Sequence, residues 1–317
     1  MPVPVASVAW PENRPNVRSV IGAHSAAVTI EERGRSAPAR LPRRPQSFRW
    51  LRVALPAAAT LAPPLAIRWA ERLFATPPRM RARSSPVLEA GHRFFIESKG
   101  RRLAAWSWGD GPTAILLHGW GGRSDQLVAF VEPLLAAGFS VVAPDAPGHG
   151  DSTGCASSVI AFADALEAVA SRVGPVEAFV GHSAGAAAGA LAMSRGLRVH
   201  RAVFVSPVAA LTDVVVRFAW QLRIPPWIAD AMRRRFESRL GVPMSSLDVP
   251  TLARHVRAPL LVIHDPADAE VPWHDGAAIA QAWPGARLVD APGLGHNRIL
   301  RDARVVAQAV SFLAAGR

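Results

Sequence analysis

The chain has 317 residues, half of them apolar, which is enough for one large domain or for one domain with an appendage. Its single cysteine, Cys155, excludes an intrachain disulfide and fits a reducing compartment, so a cytoplasmic location is expected. The net charge is +12, but 18 of the 36 Lys and Arg residues and only 6 of the 24 Asp and Glu residues precede Leu103. The remaining two-thirds is therefore electrically balanced, which argues against a nucleic-acid partner.

The first 90 residues divide into two parts. Residues 1–50 are rich in Pro, Arg, Ser and Ala without a helical or strand period, which predicts a disordered basic tail; sequence upstream of the true translation start and a transit peptide are alternatives. Residues 51–90 include an uncharged run, 53–67, which is too short to span a bilayer and which Pro56, Pro63 and Pro64 are expected to break. We expect an N-terminal arm or helix lying on the following domain. Contact with a membrane surface, helped by flanking arginines, is the alternative.

Residues 91–317 alternate between short apolar runs and longer helical segments. Two short strands, 93–97 and 103–108, are expected to be joined by a turn at Lys99 and Gly100. Further strands are predicted at 114–117, 140–143, 176–180, 202–205, 260–263 and 287–289. Continuous apolar runs are typical of strands buried on both faces, so the pattern predicts an α/β fold with a mostly parallel sheet. No buried strand is predicted between about 207 and 257, which indicates a helical insertion there.

A candidate nucleophile lies in the pentapeptide GHSAG, residues 181–185. This pentapeptide follows the strand 176–180 and opens a helix, which is the context of a sharp strand-to-helix turn that raises one hydroxyl above the sheet. Gly181 and Gly185 flank the turn where side chains would collide. Ser183 stands near a helix N-terminus, where unpaired N–H groups and the helix dipole favour developing negative charge.

A serine hydroxyl is a weak nucleophile and needs a base and an acid that orients the base. His296 follows the last predicted strand, within GLGH, and is the candidate base. Two aspartates of HDPAD compete for the role of acid. Asp268 is preferred because it lies farther from the strand and can reach over the loop, whereas Asp265 suits a turn cap with Pro266. Asp275 is a more distant candidate and is interpreted as a helix-surface residue.

Two backbone N–H groups are predicted to stabilise the oxyanion. One belongs to Ala184, the residue after the nucleophile. The other belongs to Trp120, in the glycine-rich loop HGWGG at 118–122. His118 is interpreted as structural, with a hydrogen bond inside its loop, and His149 as a turn residue of DAPGHGDS.

The insertion carries aromatic residues whose role stays open between core packing and a substrate pocket. Phe218, Trp220 and Trp227 are the candidates for binding an apolar substrate, and Ile224 and Phe236 share the same segments. The arginines at 233–235 are interpreted as a solvated helix face. The ten histidines lack the spacing of metal ligands, and no phosphate loop or dinucleotide fingerprint is present, so neither a metal nor a cofactor is predicted.

Taken in order, HGWGG, DAPGHGDS, GHSAG, HDPAD and GLGH resemble the α/β-hydrolase superfamily over roughly residues 94–313. The resemblance implies a sheet of about eight strands with a helical cap. It also implies hydrolysis of an ester or a related substrate without a cofactor. With Ser183 as nucleophile we expect a serine hydrolase, in particular a carboxylesterase, which forms an acyl-enzyme with a small apolar ester or related acyl substrate. The serine nucleophile and the absence of tyrosine argue against the haloalkane dehalogenases and epoxide hydrolases of this superfamily.

Four alternatives use the same residues or the same fold: acyltransferase, thioesterase, carbon–carbon bond hydrolase, and a non-catalytic binding protein. The long basic N-terminal extension departs from the superfamily, and the oligomeric state is not predicted.

Overall fold

The computed structural model describes residues 50–80 and 85–315. The predicted disordered tail, residues 1–50, lies outside the described residues except for Trp50. The sheet has eight strands: β1 His92–Ser98, β2 Arg101–Trp108, β3 Thr113–Leu117, β4 Ser140–Pro144, β5 Val176–His182, β6 Val199–Val205, β7 Leu260–His264 and β8 Arg287–Asp290.

The strand order across the sheet is β1-β2-β4-β3-β5-β6-β7-β8. The hairpin of β1 and β2 is antiparallel and joins β4 in antiparallel fashion, while all the other neighbours are parallel. The carboxyl ends of β3 to β8 therefore meet at one edge of the sheet, where the loops that carry function are gathered. The predicted α/β fold, with a mostly parallel sheet of eight strands, is confirmed.

Helices fill the connections between strands. They are α1 Leu51–Leu61, α2 Pro63–Ala75, α3 Pro86–Glu89, α4 Val131–Ala136, α5 Val159–Val173, α6 Ala184–Ser194, α7 Leu211–Leu222, α8 Pro226–Leu240, α9 Val249–Leu252, α10 Trp273–Ala282, α11 Gly295–Arg298 and α12 Ala303–Ala314. The segment between β6 and β7 contains α7, α8 and α9 but no strand, so the helical insertion is present. We call α7 and α8 the cap.

Both faces of the sheet are buried, because successive strand residues point to opposite sides. In β3, Ile115 and Leu117 pack with α5, α6 and α10 on one face. On the other face Ala114 and Leu116 pack with α4 and α12. This arrangement accounts for the continuous apolar runs in the sequence, and it holds the sheet rigid beneath the loops at its carboxyl edge.

The N-terminal helices α1 and α2 form a third apolar cluster with the cap. Leu55 of α1 and Ala70 of α2 are buried together with Val215 of α7 and Met232 of α8. Helix α1 contacts α7, and α2 contacts α8, so the four helices share one core. The N-terminal segment thus packs on the cap. The expectation of an arm or helix lying on the following domain did not specify this partner.

One sequence interpretation needs correction here. Pro56 lies inside α1 and does not break it; the break falls at Ala62, and Pro63 begins α2. Arg234 and Arg235 of α8 are exposed, as a solvated helix face predicts. Arg235 and Arg239 also pair with Glu71 of α2, whose side chain is only 4% exposed. A buried carboxylate needs such partners, since an unpaired charge in the interior is costly.

No helix in the described ranges has both the length and the hydropathy needed to cross a membrane.

Candidate active site

Ser183 occupies a strained turn between β5 and α6. Its φ and ψ angles are 51° and −117°, a conformation that side chains rarely adopt and that is often found where a catalytic group must be presented. Its backbone N–H donates to the carbonyl oxygen of Val205 in β6 at 3.0 Å, which fixes the turn to the sheet. The side chain is largely buried, 7% exposed, at the carboxyl edge of the strands.

The glycines of GHSAG are required by close approach of other backbone atoms. A Cβ at Gly181 would lie 2.7 Å from the Cα of Ala186, and a Cβ at Gly185 would lie 2.5 Å from the carbonyl oxygen of Leu117. Real Cβ atoms essentially never approach other atoms so closely, so a larger residue would push the first turn of α6 away from β3 and β5. The predicted reason for these glycines is thus present in the packing.

His296 and Asp268 are brought together from separate loops. Nδ1 of His296 lies 2.8 Å from Oδ2 of Asp268, although 28 residues separate them in the chain. Oδ1 of Asp268 accepts hydrogen bonds from the backbone N–H groups of Glu270 at 2.8 Å and Val271 at 3.1 Å. Burial by itself would raise the pKa of Asp268, but hydrogen bonds from His264 and His296 outweigh it and hold the pKa well below its usual range. Asp268 is therefore a carboxylate, which keeps the proton of His296 on Nδ1 and leaves Nε2 free to accept one.

Asp265, the competing aspartate, makes different contacts from those of Asp268. Its carboxylate accepts hydrogen bonds from the backbone N–H groups of Ala267, Gly293 and Gly295. These bonds tie the loop after β7 to the loop that carries His296. Burial opposes ionisation of Asp265, but the backbone hydrogen bonds prevail and lower its pKa.

Asp275 is not a helix-surface residue, as the sequence interpretation had it. Its side chain is buried, its Oδ2 accepts from the backbone N–H of Ala209 at 3.1 Å, and Arg217 of α7 lies 3.7 Å away. Burial raises the pKa of Asp275. The residue joins α10 to the start of the cap.

Two further histidines hold the His296–Asp268 pair, and the sequence analysis missed both. Nε2 of His182 donates to the backbone oxygen of His296 at 3.0 Å, and the centroids of the two rings are 4.6 Å apart. Nε2 of His264 donates to the backbone oxygen of Val271 at 3.0 Å and lies 3.5 Å from Oδ2 of Asp268. Burial, together with the nearby His296, keeps the pKa of His182 well below its usual value, so His182 is neutral.

The glycine-rich loop after β3 lies against the serine turn. A Cβ on Gly119 would lie 2.9 Å from the Cβ of Ser183. Among the hydrogen bonds of residues 50–80 and 85–315, the backbone N–H groups of Trp120 and Ala184 donate to no backbone acceptor. At Ala184 this follows from its place at the start of α6, where helix N–H groups lack intrahelical partners.

His118 and His149 are neutral structural residues of the neighbouring loops. Nδ1 of His118 donates to the backbone oxygen of Gly119 at 2.7 Å, as expected for a bond within its loop, and Nε2 accepts from the backbone N–H of Ala146 at 3.0 Å. His149 donates to Pro147 and packs on the Trp120 ring, with centroids 5.3 Å apart. Burial lowers the pKa of His118 to about 4 and that of His149 to about 3.

The aromatic residues of the cap lie in different environments. Phe218 packs on Phe74 of α2 with ring centroids 5.3 Å apart, which places it in the contact between cap and N-terminal helices. Trp220 and Trp227 are about half exposed. Buried Ile224 and Phe236 belong to the same cluster as Phe218. A substrate-binding role for Phe218, Trp220 and Trp227 stays a prediction.

Within the described part of the chain, no three His, Cys, Asp or Glu side chains come together as ligands for a metal ion.

The sheet, the serine turn and the histidine–aspartate pair define a protein of the α/β-hydrolase class. The model of the alpha/beta hydrolase family matches residues 114–309, more than half of the chain, and the protein belongs to that family. No curated protein sequence matches the chain.

Solved structures share the fold at low sequence identity. Esterase Pf2001 of Pyrococcus furiosus is 21% identical with a TM-score of 0.60, over 75% of this chain and 98% of the esterase. Est1E of Butyrivibrio proteoclasticus, solved with ferulic acid, is 21% identical with a TM-score of 0.55, over 68% and 96%. A bacterial membrane phospholipase A is 16% identical with a TM-score of 0.56, over 83% and 95%.

Proposed function

We propose that the protein is a serine hydrolase that cleaves carboxylic esters through an acyl-enzyme intermediate. The observation that carries the proposal is the 2.8 Å hydrogen bond between Nδ1 of His296 and Oδ2 of Asp268, on loops at the same sheet edge as the strained turn of Ser183. A base oriented by a buried carboxylate is what a serine hydroxyl needs to become a nucleophile. Membership of the hydrolase family and the likeness of fold to an esterase support the same reaction class.

In the proposed mechanism the hydroxyl of Ser183 attacks the ester carbonyl carbon while Nε2 of His296 takes its proton. Asp268 stabilises the imidazolium that results, and its lowered pKa keeps it ionised throughout. His296 then returns the proton to the departing alcohol. Water, activated by the same histidine, releases the acid from Ser183.

The negative charge that forms on the carbonyl oxygen is assigned to the backbone N–H groups of Trp120 and Ala184. In the part of the chain that the structure describes, neither N–H group has a backbone acceptor, and the loop that carries Trp120 lies against the serine turn at Gly119. Donors already in place cost no reorganisation during the reaction, so each contributes on the order of 3 kcal/mol to the barrier reduction.

The test is turnover of p-nitrophenyl esters of increasing acyl length, with product identification. We expect hydrolysis of short or medium acyl chains by the wild type, and a loss of about 10⁶-fold in kcat for Ser183→Ala. Ser171→Ala, which removes an exposed hydroxyl on α5, is the matched control and should match the wild type. Turnover by Ser183→Ala at the wild-type rate would refute the proposal, as would the absence of any acyl product from esters and thioesters.

A further inference from the structure

The N-terminal helices have an outward side that differs from the side packed on the cap. Ala66 and Ala70 of α2 are fully buried, as is Leu55 of α1. The large apolar residues on the opposite side are strongly exposed: Trp50 at 56%, Val53 at 71%, Leu61 at 84% and Leu65 at 62%. These four are half of the eight large hydrophobic residues that are exposed in the described ranges. We call this surface, together with Arg68 and Arg72, the outer face.

The outer face combines apolar and basic side chains along one stripe. Leu65, Arg68 and Arg72 follow each other at spacings of three and four residues, which places them on one side of α2. All three are exposed, and Arg52 is exposed on α1. Trp50 stacks on Trp69 with ring centroids 5.7 Å apart, so an aromatic pair joins the two helices.

Within α1 and α2, no carboxylate balances these arginines on the outer face. The only acidic residue of α1 and α2 is Glu71, which is buried and paired with Arg235 and Arg239 of the cap. The stripe is therefore complementary in charge to an anionic surface.

The combination favours lipid over a folded protein as the partner. Apolar side chains flanked by arginines, with tryptophan beside them, suit the boundary between headgroups and acyl chains. Helices α1 and α2 have 11 and 13 residues, too short to span a bilayer, so they would lie along its surface. Burying the exposed apolar groups there offsets the loss of mobility on binding, while the arginines attract anionic headgroups.

We propose that the outer face docks the protein on the surface of an anionic lipid bilayer. Because α1 and α2 share their core with α7 and α8, docking brings the cap as a whole to the lipid. The proposal does not depend on the ester-cleaving reaction, since none of its residues belongs to the site around Ser183.

The experiment is co-sedimentation of the full chain with vesicles of phosphatidylglycerol and phosphatidylcholine in equal parts, compared with vesicles of phosphatidylcholine alone. We expect binding to the anionic vesicles that weakens as salt is added. Each arginine near such a surface contributes about 1 kcal/mol, so Arg68→Gln with Arg72→Gln should reduce binding by about 25-fold. Val53→Ser with Leu65→Ser should also reduce binding to the anionic vesicles.

Matched controls lie outside the outer face. Arg172→Gln with Arg254→Gln removes two exposed arginines of the hydrolase domain, and Phe95→Ser removes an exposed apolar side chain from β1. These controls should bind like the wild type. Circular dichroism and ester turnover of the outer-face variants should be unchanged in the absence of vesicles.

Three results would overturn the proposal: no sedimentation of the wild type with anionic vesicles, equal losses in the controls and the outer-face variants, or self-association of the wild type that Val53→Ser with Leu65→Ser abolishes. The last result would identify a second copy of the chain as the partner. If Ser183→Ala loses ester turnover but still binds vesicles, membrane docking and ester cleavage are independent of each other.

Discussion

The imidazole ring of His182 lies against that of His296, with centroids 4.6 Å apart, and its Nε2 donates to the backbone oxygen of His296 at 3.0 Å. His182, which directly precedes Ser183, thus holds His296, the residue proposed to take the proton of the serine. Within one turn, the chain places the proposed nucleophile and fixes the position of its proposed base.

Replacing His182 should lower kcat more than it raises KM. His182→Phe keeps a ring against His296 but removes the bond to the backbone oxygen, which allows the base to shift. A displacement on the order of 1 Å costs up to about 100-fold in rate, so we expect a loss of roughly 10- to 100-fold in kcat with KM nearly unchanged. Steady-state kinetics measures kcat and KM, and a melting curve checks that the variant is folded. A folded variant with wild-type kcat would show that His182 does not position the base.

Substitutions of the two aspartates of HDPAD should have different effects: one should lower kcat, and the other should mainly lower stability. Asp268→Asn removes the carboxylate that orients His296 and should cost about 10⁴-fold in kcat. Asp265→Asn removes one acceptor oxygen from the bonds to Ala267, Gly293 and Gly295, so its main effect should be a lower melting temperature, with unfolding easier by about 1–3 kcal/mol. A large kcat loss for Asp265→Asn with none for Asp268→Asn would reverse the assignment.

Acid should destabilise the protein through the buried neutral histidines. His149 has a pKa of about 3 in the folded protein because it is buried, against 6.5 for the free side chain. Between these values the unfolded chain holds a proton that the folded protein lacks, so stability falls as the pH falls from about 6.5, by about 1.4 kcal/mol per pH unit for this residue.

Urea unfolding at pH 7 and pH 5 tests this effect. His149→Phe should show a shallower loss of stability over that range than the wild type, by up to about 1.4 kcal/mol per unit. An equal slope in wild type and His149→Phe would contradict the assignment of His149 as neutral in the folded state.

The shared core of α2 and the cap can be tested by overpacking. Ala66 is fully buried in the cluster that α1 and α2 form with α7 and α8, and Ala57 is exposed on α1. Ala66→Leu should therefore reduce the free energy of unfolding by about 1–3 kcal/mol, while Ala57→Leu should change it by less than about 0.5 kcal/mol. Equal effects of the two substitutions in urea titrations would mean that α2 does not pack on the cap.

The fold could be predicted from the sequence because each buried strand is a continuous apolar run. The glycines around Ser183 also indicated the close packing of α6 on β3 and β5. Asp268 could be preferred over Asp265 from the sequence because it lies farther from the end of β7. That distance decides whether an aspartate side chain can reach His296. These features depend on neighbours close in the chain or on the regular geometry of strands.

What the sequence did not indicate depends on contacts between distant segments. The pairing of Glu71 with Arg235 and Arg239 joins α2 to α8 across more than 160 residues, and no local period marks it. Asp275 has the pattern of a surface residue of α10, yet Ala209 and Arg217 cover it. His182 lies within GHSAG and His264 within HDPAD, but only the assembled loops show which groups their Nε2 atoms meet.

The most direct test of the proposed catalytic site is labelling with a fluorophosphonate, followed by peptide mass spectrometry. We expect the reagent to modify Ser183 in the wild type, not to label Ser183→Ala, and to react far more slowly with His296→Gln. Labelling at a different serine, or rapid labelling that is indifferent to His296, would contradict a nucleophile at 183 activated by the base at 296.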